Sequence, residues 1–217
     1  MNSTDNRNYF YAPDSHDDRA EYPVISDWVP PRARVLDLGC GDGALLAKLR
    51  DGKQCAGQGI ELSASGVESA RRKGLQVNQG SIDQPLKDVT SGSFDYAVCN
   101  VTVQMVMFPE VLMSEMKRVA RRQIISFPNF GHWSNRWDLL CHGRMPHPLL
   151  FGYDWHSTGH IHQLGVRDFE DYVAAQGWRI LDRRHLGSSR TGWKQGLVQK
   201  FPGLLAITSI YHLEMGA

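Results

Sequence analysis

The sequence predicts an α/β fold, a three-layer sandwich of helices on both faces of a mostly parallel seven-stranded sheet. Three observations predict it. The run Arg34-Val35-Leu36-Asp37-Leu38 has the apolar density of a strand buried on both faces, and Gly39-Cys40-Gly41-Asp42-Gly43 follows it directly. Glycine there lets the backbone turn tightly and lets a ligand approach it closely. The helical pattern Ala44–Arg50 comes next, so strand, glycine turn and helix form the unit that binds nucleotides in α/β proteins. Strand and helix signals then alternate as far as Phe127, after which residues 128–165 interrupt the rhythm as an insertion.

The elements read in order as follows. Residues 1–20 form a polar arm, with Tyr9, Phe10 and Tyr11 arguing against complete disorder; it either stays loose or packs over the cofactor cleft. A single domain spans 21–217. Glu21–Val29 is a short helix stopped by Pro30-Pro31. Cys55–Ile60 is the second strand, and Ser63 caps a helix running to Lys73. Leu75–Asn78 is the third strand and Phe94–Asn100 the fourth, entered after Ser91-Gly92-Ser93. Pro109 opens a helix whose apolar spacing is Val111, Leu112, Met116 and Val119. Gln123–Phe127 is the fifth strand, Arg167–Gln176 a helix ending at Gly177, and Trp178–Arg183 the sixth strand. Leu204–His212, reached through Gly- and Ser-rich loops, is the seventh, and the strands after the fifth are expected to form an antiparallel edge.

The ligand is narrowed by charge. Gly39-x-Gly41-x-x-Ala44 also fits the dinucleotide fingerprint. Asp37 stands two residues before the first glycine, Asp42 lies within the turn, and no surplus of positive charge lies nearby. Acids repel a pyrophosphate and attract a cationic ligand. S-adenosylmethionine (SAM) has a sulfonium, an amino group and no phosphate. Glu61, at the end of the second strand and roughly 20 residues past the turn, is placed to accept both ribose hydroxyls. A polar side chain in Gly80-Ser81-Ile82-Asp83 can reach the adenine amino group. This succession resembles the class I SAM-dependent methyltransferases, over about residues 22–127. The resemblance implies a Rossmann-like methyltransferase fold that binds SAM or S-adenosylhomocysteine. It also implies a cofactor set of Asp37, Gly39, Cys40, Gly41, Gly43, Glu61, Leu62, Ser81, Ile82, Asp83 and Asn100. A packing-only role for the glycines, with the pocket vacated, is the alternative.

Bulk properties bound the answer. The 217 residues can bury one good core and hardly two. The formal net charge of +1 gives no electrostatic reason for nucleic-acid or membrane binding. No apolar run reaches membrane-spanning length, and Met1–Asp18 lacks a signal-peptide core. Cys40, Cys55, Cys99 and Cys141 include no Cys-x-x-Cys pair, so reduced thiols and a cytoplasmic setting are expected. Cys40 faces the ligand in this reading but has no identifiable base to make it a nucleophile.

The segment Ser126-Phe127-Pro128-Asn129-Phe130-Gly131-His132-Trp133 leaves the carboxyl end of the fifth strand, where ligands of open α/β sheets sit. Together with Asn135-Arg136, Gly143-Arg144-Met145-Pro146, Trp155, Ile161-His162 and Val166-Arg167-Asp168-Phe169-Glu170-Asp171, it resembles the MetW family of methionine biosynthesis, from about Tyr22 to about Trp193. The resemblance implies a link to homoserine O-acyltransferase (MetX), which some members accompany and activate. Three features depart from the family: Ser81 replaces a usual acid, with Asp83 nearby; Val101 replaces a frequent Gln while Gln104 is kept; and residues 1–20 are additional.

Two functions follow. The first is a SAM-binding partner of the acyltransferase, with 128–165 as lid or contact surface. The second is a methyltransferase acting on a small-molecule acceptor. For that, His132, His160 and His162, with Tyr153 weaker, are the candidate general bases. The plainer roles for these histidines are backbone hydrogen bonding and loop capping. His160-x-His162 offers two metal ligands without identifiable others, so no metal is expected. Arg136 and Arg144 are candidates to grip a carboxylate, or are solvated loop residues, and Trp137, His142, Asp154 and Trp155 complete the insertion's candidates.

Overall fold

The computed structural model describes Tyr11 and residues 19–149, 159–188 and 193–216. The sheet comprises β1 (Arg34–Leu38), β2 (Ala56–Glu61), β3 (Gln76–Gln79), β4 (Phe94–Asn100), β5 (Ala120–Pro128), β6 (Trp178–Leu186) and β7 (Thr208–Met215), in the order β3-β2-β1-β4-β5-β7-β6. Pairings among β1 to β5 are parallel, and β7 runs antiparallel to both β5 and β6.

Alternation along each strand builds two cores. Val35, Tyr96, Val98, Ile124 and Ile210 face one side, under α1 (Glu21–Trp28), α2 (Ala44–Lys53) and α3 (Ala64–Arg72). Leu36, Ala97, Cys99, Ile125, Phe127, Tyr211 and Leu213 face the other, under α4 (Pro109–Val119) and α6 (Val166–Ala175); α5 is the helix Trp133–His142 between β5 and α6. The second core centres on an aromatic trio. Phe127 lies 4.8 Å from Phe169 and 5.8 Å from Tyr211, centroid to centroid, and Phe169 lies 4.7 Å from Tyr211. This is the predicted helix–sheet–helix sandwich, and Ser63 caps α3 as expected, accepting from Gly66 N at 3.4 Å.

The C-terminal third departs from expectation in two ways. Leu204 and Leu205 belong to α8, a single turn over Pro202–Leu205, because Pro202 at its first position pre-sets helical φ; β7 therefore starts only at Thr208. As expected, the strands after β5 form an antiparallel edge, with β7 inside and β6 outermost. Residues 208–213 of β7 are buried throughout, as an interior strand requires, whereas the edge strand β6 has a mixed, mostly exposed pattern. The stretch expected as Gly- and Ser-rich loop carries α7 (Trp193–Lys200), whose few apolar residues give a weak helical signal.

Gly43 locks the first turn. Its φ of 76° is left-handed, and a Cβ added there would lie 2.4 Å from Leu75 Cδ1 and 3.0 Å from Ala70 Cβ. Gly43→Ala combines backbone strain with overpacking and is expected to cost about 2–5 kcal/mol, read as a lowered urea midpoint. An unchanged midpoint would show that α2 and α3 are less tightly fixed than these distances require.

Candidate functional site

The carboxyl ends of β1, β2 and β4 converge on the glycine turn. The turn is anchored to the neighbouring strand: Gly39 N and Cys40 N both donate to Ile60 O, at 2.8 and 3.2 Å. Glu61, next in the chain, binds the turn from the side. Its Oε2 accepts from Gly41 N and its Oε1 from Ser63 N, each at 2.8 Å. One buried carboxylate thus joins the turn to the start of α3. Each oxygen keeps a lone pair for a further donor such as a ribose hydroxyl.

Asp37 is buried at the end of β1, and its Oδ1 has no hydrogen-bond partner among the described residues. Burial, then the charge of Glu61, push its pKa up to about 7, with Arg19 acting in the opposite sense. An orphaned buried acceptor with a reluctant charge is what a cationic amino group would satisfy. The residues present therefore fit SAM at this point.

Asp42 belongs to the framework. Its Oδ1 accepts from Ala44 N at 3.1 Å at the start of α2, and Lys73 Nζ pairs with its Oδ2 at 2.6 Å. Lys73 was not foreseen, and it weakens the inference from Asp42 that acids in the turn repel phosphate; that inference now rests on Asp37 and Glu61. The Cys40 side chain turns inward, so close beneath Gly59 that a Cβ there would meet Sγ at 2.5 Å. Burial pushes its thiol pKa far up, so only its backbone is offered to a ligand.

The other predicted contacts have mixed placements. Asp83 Oδ1 accepts from Met107 N at 2.5 Å and Phe108 N at 3.2 Å, and Ser81 Oγ accepts from Asp83 N at 3.1 Å. Ser81 thus serves the local turn after β3, and Asp83 ties that turn to the backbone entering α4. Ile82 is in the core, whereas Leu62 is exposed. Asn100 is buried at the end of β4, with Oδ1 accepting from Ser126 Oγ at 2.5 Å. Beside it Val101 has φ 56°, a left-handed conformation that a β-branched residue adopts only under constraint. Its N–H donates to Ser126 O at 3.1 Å and to Ser126 Oγ at 3.0 Å, which supplies that constraint.

The motif after β5 is a set of ties. Asn129 Nδ2 donates to Ala206 O at 2.9 Å and to Pro202 O and Gly203 O at 3.3 Å. Asn135 Nδ2 donates to Phe130 O and His147 O, and Arg136 donates to Gly131 O and Gly203 O. Gln104 Nε2 donates to Pro128 O at 3.2 Å. His132 caps α5, its Nδ1 accepting from Ser134 N at 3.3 Å, and burial lowers its pKa. His160 is buried and pushed down to about 4, while His162 is exposed. Arg144 and His142 are exposed as well. Tyr153, Asp154 and Trp155 lie outside the described residues. No group of three or more His, Cys, Asp or Glu suited to a metal occurs among the described residues, and no described helix is long and apolar enough to cross a membrane.

Fold and glycine turn define a protein of the class I SAM-dependent methyltransferase architecture. A SAM-dependent methyltransferase from Mesorhizobium loti superposes with a TM-score of 0.67 at 17% identity, over 92% of this chain and all of that one. Magnesium protoporphyrin IX methyltransferase from Synechocystis, solved with bound SAM, gives 0.57 at 14% identity over 90% and 78% of the two chains. Residues 19–213 match the family described as methionine biosynthesis protein MetW, and the chain belongs to that family. The bifunctional methionine biosynthesis protein MetXA/MetW of Rhodopirellula baltica is 35% identical over 158 residues, which are 69% of this chain and 25% of that protein. The chain thus spans about a quarter of that relative's length.

Asp37 gives the ligand-free protein a pH signature. Unfolded, this carboxyl ionises near the ordinary Asp value; folded, it holds its proton to about pH 7. Its contribution to stability is therefore greatest in acid and is lost as pH rises from about 4 to 7, by at most about 4 kcal/mol. Asp37→Asn should remove that fall, seen as the difference between wild-type and variant urea midpoints at pH 4.5 and 7.5. Parallel pH profiles would show that Asp37 is ionised in the folded chain.

Proposed function

We propose that this protein binds SAM or S-adenosylhomocysteine at Asp37, Gly39, Gly41 and Glu61, and that it contacts homoserine O-acyltransferase through the 128–165 insertion to raise that enzyme's activity. The Rhodopirellula relative carries the reading: there a segment matching this chain is joined in one polypeptide to a MetXA portion. Such fusion gives two units a high effective concentration, which is useful only when they act together. The insertion also has a face for the contact. On α5, Trp133, Trp137 and Leu140 follow one another at helical spacing with 53%, 58% and 81% of their surface exposed. Exposed aromatic and aliphatic anchors of this kind are typical centres of protein interfaces.

The cofactor's part follows from charge. Asp37 meets the amino group and Glu61 the ribose, and the glycine turn admits the ligand's approach. SAM is the end product of the route this family serves, so its occupancy can report pathway status. Regulation requires that the acyltransferase bind the SAM-loaded and SAM-free forms with different affinity. The histidines give methyl transfer less support: His132 Nδ1 is engaged in capping, and a side chain like His160, with a pKa near 4, is a weak base at neutral pH.

Calorimetric titration with SAM and S-adenosylhomocysteine, with and without the acyltransferase, tests this reading. Micromolar binding that shifts when the enzyme is present is expected. Binding indifferent to the enzyme would move the function to methylation of a small-molecule acceptor, and absence of binding would leave a scaffold with a relic pocket. The double variant W137A/L140A should weaken association with the acyltransferase by about tenfold or more while leaving SAM affinity unchanged. Undiminished association would remove α5 as the contact.

A further inference from the structure

Tyr11 lies against the glycine turn although it is 30 residues upstream of Gly41. A Cβ added at Gly41 would meet the Tyr11 hydroxyl at 3.0 Å, Cε1 at 3.1 Å and Cζ at 3.2 Å. One added at Gly66 would meet Tyr11 Cδ2 at 3.1 Å, Glu61 Cγ at 3.1 Å and Gly41 O at 3.0 Å. The ring therefore sits in a notch that exists because two positions on different elements lack side chains. The backbone fixes it there: Tyr11 N donates to Ser65 Oγ at 3.2 Å, and Ser65 Oγ lies 2.9 Å from Ser63 Oγ. Glu61, the carboxylate placed for the ribose, backs the same notch through Gly41 N and Ser63 N.

We propose that Tyr11 is a binding residue of the nucleoside pocket, an aromatic wall beside Gly41, Glu61 and Gly66 that the cofactor's adenosine moiety packs against. This rests on the SAM-binding reading above. The ring supplies a flat apolar surface and a hydroxyl that can donate or accept, the two features by which proteins hold a ribose and its base. A second residue from the same stretch points to the same site, since the positive charge of Arg19 acts on Asp37. Tyr11 thus lies beside Glu61, and Arg19 acts on Asp37. Tyr11 precedes residues 19–213, the stretch that matches the family, so the wall is a feature of this protein beyond its family's shared stretch.

The test is titration of the full-length chain with S-adenosylhomocysteine, comparing wild type, Tyr11→Phe, Tyr11→Ala and Ser65→Ala. Thermal melts without ligand check that each variant is folded. Tyr11→Ala should weaken binding by about tenfold or more, Tyr11→Phe by no more than about threefold, and Ser65→Ala should fall between them. Tyr11→Ala binding as tightly as wild type overturns the proposal and leaves Tyr11 a packing residue. Tighter binding also overturns it, because the ring would then occupy the ligand's place. Wild type that binds no S-adenosylhomocysteine overturns the cofactor reading itself, and the wall with it. Should Tyr11→Ala fail to fold, the Tyr11→Phe and Ser65→Ala pair decides: both matching wild type overturns the wall.

Discussion

The Glu61 carboxylate is the constraint on which the cofactor end of the sheet depends. It accepts from Gly41 on one side and from Ser63 on the other. Charge-assisted bonds to backbone N–H groups are stronger than neutral ones. Together they hold the glycine turn at a fixed distance from the first turn of α3. Its charge acts further, because Asp37 shares the same buried corner and is disfavoured as an anion partly by Glu61. Two acids in a space that stabilises one anion poorly and two worse create a demand for a cation or a hydrogen-bond donor. On the reading proposed above, the pocket selects its ligand by charge before shape.

The parallel half of the fold was legible because its signals are local and periodic. β1, the glycine turn and α2 follow one another in 20 residues, and β1, β4 and β5 each carry an apolar run that a buried strand explains. The last strands were legible in number and as an antiparallel edge, but not in their order. Whether β7 lies inside β6 or outside it depends on pairing with β5, contacts distant in sequence. α5 was hidden because its outward face carries Trp133, Trp137 and Leu140, so no polar face marks it as a surface helix. Its start uses unusual punctuation too, with His132 as the cap, whereas its stop at Gly143, φ 65°, is ordinary. At the site, Asp37, Gly41 and Glu61 could be picked out from spacing, whereas Asp83 could not be recognised as a turn cap. An aspartate capping a turn and one facing adenine look the same in sequence.

The motif after β5, with Gln104 from the loop after β4, shows how a constellation of polar residues misleads when read as chemistry. Asn129, Asn135, Arg136 and Gln104 all direct nitrogens at backbone carbonyls. Irregular chain buried beside a sheet must satisfy each of its carbonyls, and long polar side chains do so where no strand or helix can. Such ties fix α5 at the carboxyl end of β5 and fasten it to α8, so that its apolar residues face outward on a rigid mount.

The mount and the pocket meet at Ser126. Its hydroxyl donates to Asn100 Oδ1 at the end of β4 and accepts from Val101 N, and two residues later β5 ends at Pro128, held by Gln104. Val101 sits between them in a conformation that costs a β-branched residue about 1–2 kcal/mol. Both bonds that hold Val101 go to Ser126, one to its carbonyl and one to the hydroxyl that itself donates to Asn100 Oδ1. Proximity alone does not make a coupling; a two-state element that both sites bias does. Val101 has one arrangement, held by Ser126, and serves instead as a rigid joint between the ends of β4 and β5.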